Sequence, residues 1–471
     1  MTLDPRRPTA RTIALGGGRV LAVGTSSELR TLAGPRTERI DCRGSTVLPG
    51  LIDPHLHLFA LAAGHAHLNC GASHLRGIGD LLAAVRAHAR RLPADAWVRG
   101  DGLDDVRLGR LPTAAELERA SLGRPVRLRH RSRHASVLSS GALHRLGVGR
   151  GIQSGLVAGR EAALTRMVGP LPVDELCAGL ATVGRELTSV GLTTVADATP
   201  RSHRALAPLR RVMDEGSFLL RVHAMRPPGS RAWRGSPRLA PGAVKIMVEE
   251  TPRGLVPAPP TIARLVHAAA ASGAQVAVHC LGAPTLVAVL AAFAGLPAAA
   301  RAGQRHRLEH VAECPPPLMA RIARLGLTVV TNPAFVYWRG DVYWQETRGA
   351  ARAWLYRARS LARTGIRLAG ASDAPVVPAN PWVGIAAARS RRTRDGRLLG
   401  ASERLGAAAA LDLFTSGAAF ALRADMLGRL APGAPADVVI VDPDPLAAPP
   451  DEVADTRVGL TLIGGERVWS R

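Results

Sequence analysis

Residues 47–58 read VLPGLIDPHLHL, an apolar run interrupted at Gly50 and Pro54 that ends on two histidines spaced two apart. On a strand, alternate side chains share a face, so His55 and His57 point the same way and can hold one ion through their imidazole nitrogens. The plainer alternative is a pair of partly exposed, hydrogen-bonded histidines. The nearby His65 and His67 show the same spacing without a strand around them.

Seven further short apolar runs follow: 191–199, 219–225, 243–250, 275–280, 307–311, 327–333 and 366–375. They alternate with Ala-, Leu- and Arg-rich helical stretches, the pattern of a parallel sheet wrapped by helices. Eight strands in this alternation predict an α/β fold, a TIM (β/α)8 barrel, whose chemistry sits at the C-terminal strand ends. His55 and His57 lie near the end of the first run, Lys245 within the fourth, His279 ending the fifth, His310 in the sixth and Asp373 in the eighth. Over a hundred residues separate the first two runs, which predicts an inserted subdomain at about 65–185.

At both ends the texture changes. TIALGGGRVLAVG and RTERIDCRGSTVLPG near the start, and ADVVIVDPDPL and VGLTLIGGERVW near the finish, read as short strands bounded by Gly, Pro and Asp. Residues 1–50 and 425–471 are expected to pair into a small composite β-sandwich domain around the barrel at 51–424.

Hydrophobic residues make up 47% and charged residues 21% of the 471, which excludes disordered, collagen-like and coiled-coil classes. No apolar stretch is long enough for a membrane span, and residues 1–18 lack the pattern of a secretory signal. The five cysteines are scattered without a CxxC pair, so neither a disulfide framework nor a zinc knuckle is expected. A cytoplasmic location follows as the expectation.

Lys+Arg total 61 against 37 acidic residues, a formal +24. The basic residues are scattered, aromatics are 3%, and no nucleic-acid-binding motif accompanies them, so no nucleic-acid partner is expected. Only one of the 61 is a lysine, Lys245. A chain that uses arginine for every other cationic position has kept the one side chain whose amine can turn neutral and act as a nucleophile. Lys245 lies between Val244 and Ile246, where an unpaired ammonium is costly. Either it pairs with a carboxylate such as Glu249 or Glu250, or it is carbamylated by carbon dioxide into an anionic bridge between two ions. Asp373 likewise has a plainer alternative, the capping of a helix.

PGLIDPHLHL, AVKIM, QVAVHC, RLEHV, AGASDAP and LAPGAPADVVIVD together resemble the amidohydrolase superfamily. The similarity is to its YtcJ-like group, amidohydrolase family 3, which includes N-substituted formamide deformylases. It extends to RSRHASVLSSGAL in the insertion and VYWRGDVYW after the seventh run. The resemblance implies a metal-dependent hydrolase of a C–N bond in an amide, formamide or cyclic amide, through water activated between two divalent ions. His55 and His57 would hold one ion, His279 and His310 the other, carbamylated Lys245 would bridge them, and Asp373 would complete the first site and carry the proton. His134 would touch substrate. Zinc suits such donors, with manganese, iron or cobalt accepted in similar geometry. A small-molecule amide is the expected partner, and a homodimer stays open. The alternatives are a mononuclear deaminase of the same superfamily and a non-catalytic barrel that binds polyanions. The chain departs from the family at Met247–Val248–Glu249–Glu250–Thr251–Pro252, where an Asp-Gly loop is usual, and at Ala283, where an Asp is common.

Overall fold

Gly50 divides the run at 47–58 into two strands that belong to different sheets. Thr46–Pro49 joins a small antiparallel sheet, and Leu51–Leu56 is the first strand of an eight-stranded parallel one. A Cβ at Gly50 would lie 2.2 Å from the Thr193 hydroxyl, so this crossing tolerates no side chain. The single run read from sequence is thus corrected to two strands, because apolarity is continuous across the junction while the pairing partners are not. The computed structural model describes residues 1–71, 75–132, 135–148, 154–301 and 303–471, apart from the side chain of Ala162. They form two compact units, residues 1–58 with 183–471 and residues 59–182.

In the larger unit the barrel strands are β1 (Leu51–Leu56), β2 (Leu192–Asp197), β3 (Arg221–Arg226), β4 (Leu239–Ile246), β5 (Val276–Cys280), β6 (Arg307–His310), β7 (Thr328–Thr331) and β8 (Leu368–Gly370). They pair in sequence order, all parallel. Register places Lys245 opposite Ala277 and His279 opposite Glu309. Every residue of β1, β2, β6 and β7 is buried, as expected for strands covered on both faces. The ring is nearly closed. The end of β1 joins the segment that follows β8 through Asp373 N–H to the His55 carbonyl at 2.8 Å and His57 N–H to the Ala374 carbonyl at 2.7 Å.

Helices Pro259–Ala271, Ala283–Ala294 and Pro316–Arg324 follow β4, β5 and β6. Each carries proline in its first turn, where the missing N–H would have had no helical partner. Their apolar faces, such as Leu286, Val289, Leu290 and Phe293, are buried. The expected alternation fails once, because β3 passes to β4 through residues 227–238 without a helix. That segment holds Pro227, Pro228, Gly229, Gly235 and Pro237, residues that break helices.

Thr46–Pro49 pairs with Val438–Asp442, which continues to Arg457–Ile463 and Glu466–Ser470. Thr12–Gly16 and Arg19–Gly24 form a separate hairpin. Val20 and Val23 of the hairpin share one apolar core with Val438, Leu460 and Leu462 of the sheet. Both ends of the chain therefore contribute to one apolar core.

The smaller unit has a five-stranded sheet ordered Leu68–Asn69, Val98–Leu103, Val126–His130, Ala135–Leu138 and Leu156–Ala158. Leu81 and Val85 of helix Ile78–Ala89 pack with Val98, Leu117, Val126 and Leu128 in its core. Among the described residues no helix is long and apolar enough to cross a membrane.

Candidate metal centre

The period of two along β1 puts Asp53, His55 and His57 in one line. The Asp53 carboxylate accepts from the His55 and Ser372 backbone N–H groups at 3.1 and 3.2 Å, so it ties β1 to the segment carrying Asp373. Burial pushes the Asp53 carboxyl up to about 6 against those hydrogen bonds. His55 is buried and His57 is about a quarter exposed, at 28%.

Asp373 faces both histidines. Its Oδ1 lies 3.4 Å from His55 Nε2 and 3.1 Å from His57 Nε2. No hydrogen bond forms across either distance, so Oδ1 is a buried acceptor without a hydrogen-bond partner. Burial opposes ionisation here, yet the facing His55 and His57 outweigh it and hold the Asp373 carboxyl far below the usual range. One donor atom from each of the three residues falls within 4.8 Å of the others.

At this centre the imidazoles of His55, His57 and His310 have Nδ1 engaged. His55 Nδ1 contacts Glu309 Oε2, His57 Nδ1 meets the Thr199 hydroxyl at 2.7 Å, and His310 Nδ1 meets Asn332 Oδ1 at 2.7 Å. The Asn332 amide donates in turn to the Ala371 carbonyl at 3.1 Å, which leaves its oxygen for the ring. Fixing one ring nitrogen sets the tautomer and leaves the other available as a donor, the usual arrangement behind histidine ligands; of these three rings, those of His55 and His57 fall in the cluster with Asp373.

His310 should point away from the side that Glu309 occupies if β6 stayed regular. It does not, because its φ is +71°. This left-handed conformation, uncommon outside glycine, breaks the alternation and brings its ring to 4.8 Å from His55 and 4.6 Å from His279, centroid to centroid. Asp373 has the same kind of backbone, with φ +57°, and it does not cap a helix. Burial first, then neighbouring cationic groups, lowers His279 to about 2 and His310 to about 4. Both rings are neutral near pH 7, with lone pairs free to donate.

Lys245 is fully buried on β4. The pairing with Glu249 or Glu250 considered from the sequence does not form. Glu249 is exposed, and Glu250 accepts from the Thr285 hydroxyl at 2.6 Å and the Gly282 N–H at 3.1 Å. Burial lowers the amine from its ordinary value, while the charges of Glu309 and Asp373 oppose that shift without an ion pair to Lys245 among the described residues. His134 lies outside the described residues. His67 contacts Asp101 in the smaller unit.

Sequence reasoning missed Asp53, Thr199, Arg307, Glu309 and Asn332. A signal existed for two of them: in RLEH, Arg307 and Glu309 are charges at alternate positions of a strand otherwise destined for burial. A buried acceptor without a partner, aimed at two imidazoles whose opposite nitrogens are engaged, is a donor set that a divalent cation fits.

The model of the amidohydrolase family matches residues 38–469. The chain belongs to the amidohydrolase family. It is a hydrolase acting on carbon–nitrogen bonds, in a family that is generally metal-dependent. It is 27% identical to an N-substituted formamide deformylase of Arthrobacter pascens, covering all of this chain and 97% of that one. To the putative amidohydrolase YtcJ of Bacillus subtilis it is 26% identical over 96% of this chain and 95% of the relative. Among solved structures, an uncharacterized metal-dependent hydrolase from Pyrococcus furiosus superposes with TM-score 0.77 at 26% identity, covering 92% and 95% of the two chains. A zinc-complexed atrazine chlorohydrolase of Arthrobacter aurescens shares the fold at TM-score 0.57 and 17% identity, over 100% and 93%.

Proposed function

We propose that this amidohydrolase cleaves an amide, formamide or cyclic amide in a small, partly apolar molecule, using two divalent ions held at the C-terminal ends of the barrel strands. The observation that carries the reading is the convergence of His55, His57 and Asp373 on one point, with Asp373 Oδ1 buried and unsatisfied. His55, His57 and Asp373 would hold the first ion and His279 and His310 the second. Lys245, once carbamylated, would bridge them, and zinc, manganese, iron or cobalt would suit these donors. When bound, such ions lower the pKa of water and polarise a carbonyl.

The chain's own groups supply the rest. Asp373 is ionised, the form that can accept a proton from the attacking water, and that proton must then reach the departing amine, which leaves poorly as an anion. Carbamylation joins the neutral Lys245 amine to carbon dioxide through a new N–C bond, one N–H proton passes to water, and an anionic carbamate stands where the neutral amine was. Its burial without an ion pair favours the neutral amine on which that addition depends.

For the substrate's apolar part the support is an aromatic cluster beyond β6, β7 and β8. Helix Ala334–Glu346 places Phe335, Trp338, Tyr343 and Trp344 against Ala312, Val376 and Val377, residues two to four positions past His310 and Asp373. The Tyr343 and Tyr356 hydroxyls meet there at 3.2 Å. The N-substituted formamide named for one relative fits such a surface. A second reading, a single-ion deaminase, draws support from the one three-donor cluster found among the described residues.

The test is turnover of N-formyl, N-acyl and cyclic amides by protein reconstituted with each divalent metal. Amine release from at least one class is expected. Release of ammonia from amino-substituted rings, with every amide inert, would replace this reading by the deaminase.

A further inference from the structure

The barrel buries one ion pair that the proposed chemistry does not use. Arg307 and Glu309 sit two apart on β6, facing the same way, with side chains 1% and 0% exposed. Arg307 Nε donates to Glu309 Oε1 at 2.6 Å, and one terminal nitrogen donates to Glu309 Oε2 at 2.8 Å. That same nitrogen also reaches the Pro54 carbonyl at 2.8 Å, on the residue before His55. Glu309 Oε2 then contacts His55 Nδ1. Burying such a pair carries a desolvation penalty that its attraction has to offset, and an apolar pair of equal volume often serves stability as well. A role beyond packing is therefore called for.

We infer that Glu309, held by Arg307, is a positioning residue for His55: it accepts a hydrogen bond from the Nδ1–H and leaves the Nε2 lone pair facing Asp373. The inference rests on the proposed ligand set. An ionised carboxylate only accepts hydrogen bonds, so the imidazole must carry its proton on Nδ1. Both Glu309 oxygens are pinned by a bidentate guanidinium, a geometry lysine could not supply. Arg307 also grips the main chain at Pro54, so ring and backbone of the ligand strand are fixed by one unit. Thr199 and Asn332 do the same for His57 and His310 with neutral groups. Of these three imidazoles His55 alone has a charged partner at Nδ1, and an anion there strengthens the Nε2 lone pair as a metal donor.

The experiment measures metal affinity by competition with a chromophoric chelator, independently of turnover. Glu309→Gln keeps size but loses the charge, and should weaken the tighter-held ion by about 10–100-fold. Because that variant strands the Arg307 charge and could fail to fold, Arg307→Met/Glu309→Gln removes both charges together and should show the same weakening with a native circular dichroism spectrum. Wild-type affinity in the folded double variant overturns the inference. If neither variant folds, nitrogen-15 NMR of the zinc-loaded wild type decides. A hydrogen-bonded Nδ1–H on His55 upholds the inference, and its absence overturns it. Glu309-dependent metal binding without amide turnover would sink the proposed function alone, whereas a wild-type protein that takes up no divalent metal would overturn both.

Discussion

The backbone N–H of Asp373 donates to the carbonyl of His55 at 2.8 Å, while the Asp373 side chain sets Oδ1 3.4 Å from Nε2 of that same histidine. One residue thus helps close the barrel between its first and eighth strands and faces the ligand it would share an ion with. The left-handed backbone at Asp373, φ +57°, makes both contacts available to a single residue. Fold closure and site assembly are the same event here.

Asp373→Asn tests the side-chain half of that relationship without touching the main-chain half. The amide preserves the shape and most of the metal contacts but cannot take a proton from water. Turnover should fall by at least about 10²-fold, the usual effect of losing a general base, with the thermal midpoint little changed. Activity within a few-fold of wild type, read under saturating metal, would remove Asp373 from proton transfer.

The eight barrel strands were legible as short, largely apolar runs that alternate with helical stretches, and His55, His57, Lys245, His279, His310 and Asp373 were legible as polar residues at or near their ends. What stayed hidden depends on backbone geometry or on partners distant in sequence. The break at Gly50 is set by which sheet each half joins, and Thr193, which enforces it, lies 143 residues away. The turn of His310 toward His279 comes from a positive φ that no side-chain pattern announces. Thr199 and Asn332 are ordinary polar residues until the barrel brings them to an imidazole.

Metal content separates the two enzymatic readings. Four histidines, an aspartate and a carbamylated lysine exceed what one tetrahedral ion needs, so about two transition-metal ions per chain are expected. The check is elemental analysis of protein loaded under carbon dioxide and then desalted. A reproducible value of about one would favour the mononuclear deaminase.

A histidine away from the centre governs a different pH dependence. His306 is buried, its Nδ1 accepts from Val276 N–H at 3.1 Å, and its Nε2 donates to the Ala300 carbonyl at 3.1 Å. Both ring nitrogens are satisfied only in the neutral form, and burial lowers the imidazole from its ordinary 6.5 against the raising effect of Ala300. Below that value the unfolded chain takes up a proton that the folded chain refuses, so stability from this residue is present above 6.5 and lost on acidification. Thermal midpoints recorded from about pH 7 to about pH 5, the range where histidines titrate, should fall more steeply in wild type than in His306→Gln. Parallel curves would show that His306 contributes nothing to acid sensitivity.

Lys245 offers the sharpest test, because substitution by arginine keeps a long basic side chain and removes the amine that carbamylation requires. A guanidinium stays protonated and cannot be carbamylated. Lys245→Arg would therefore hold a fixed cation at a buried position surrounded by candidate ligands, and both the second ion and turnover should be lost. Lys245→Ala should lose them too, but it leaves space and no cation. Short carboxylates such as acetate or propionate, added at high concentration, should then restore part of the metal content and part of the activity by standing in for the carbamate. Metal content and amide turnover of both variants, with and without added acid, are the measurements. If Lys245→Arg binds two ions and turns over amides normally, no carbamate is formed and Lys245 serves the barrel only through its charge.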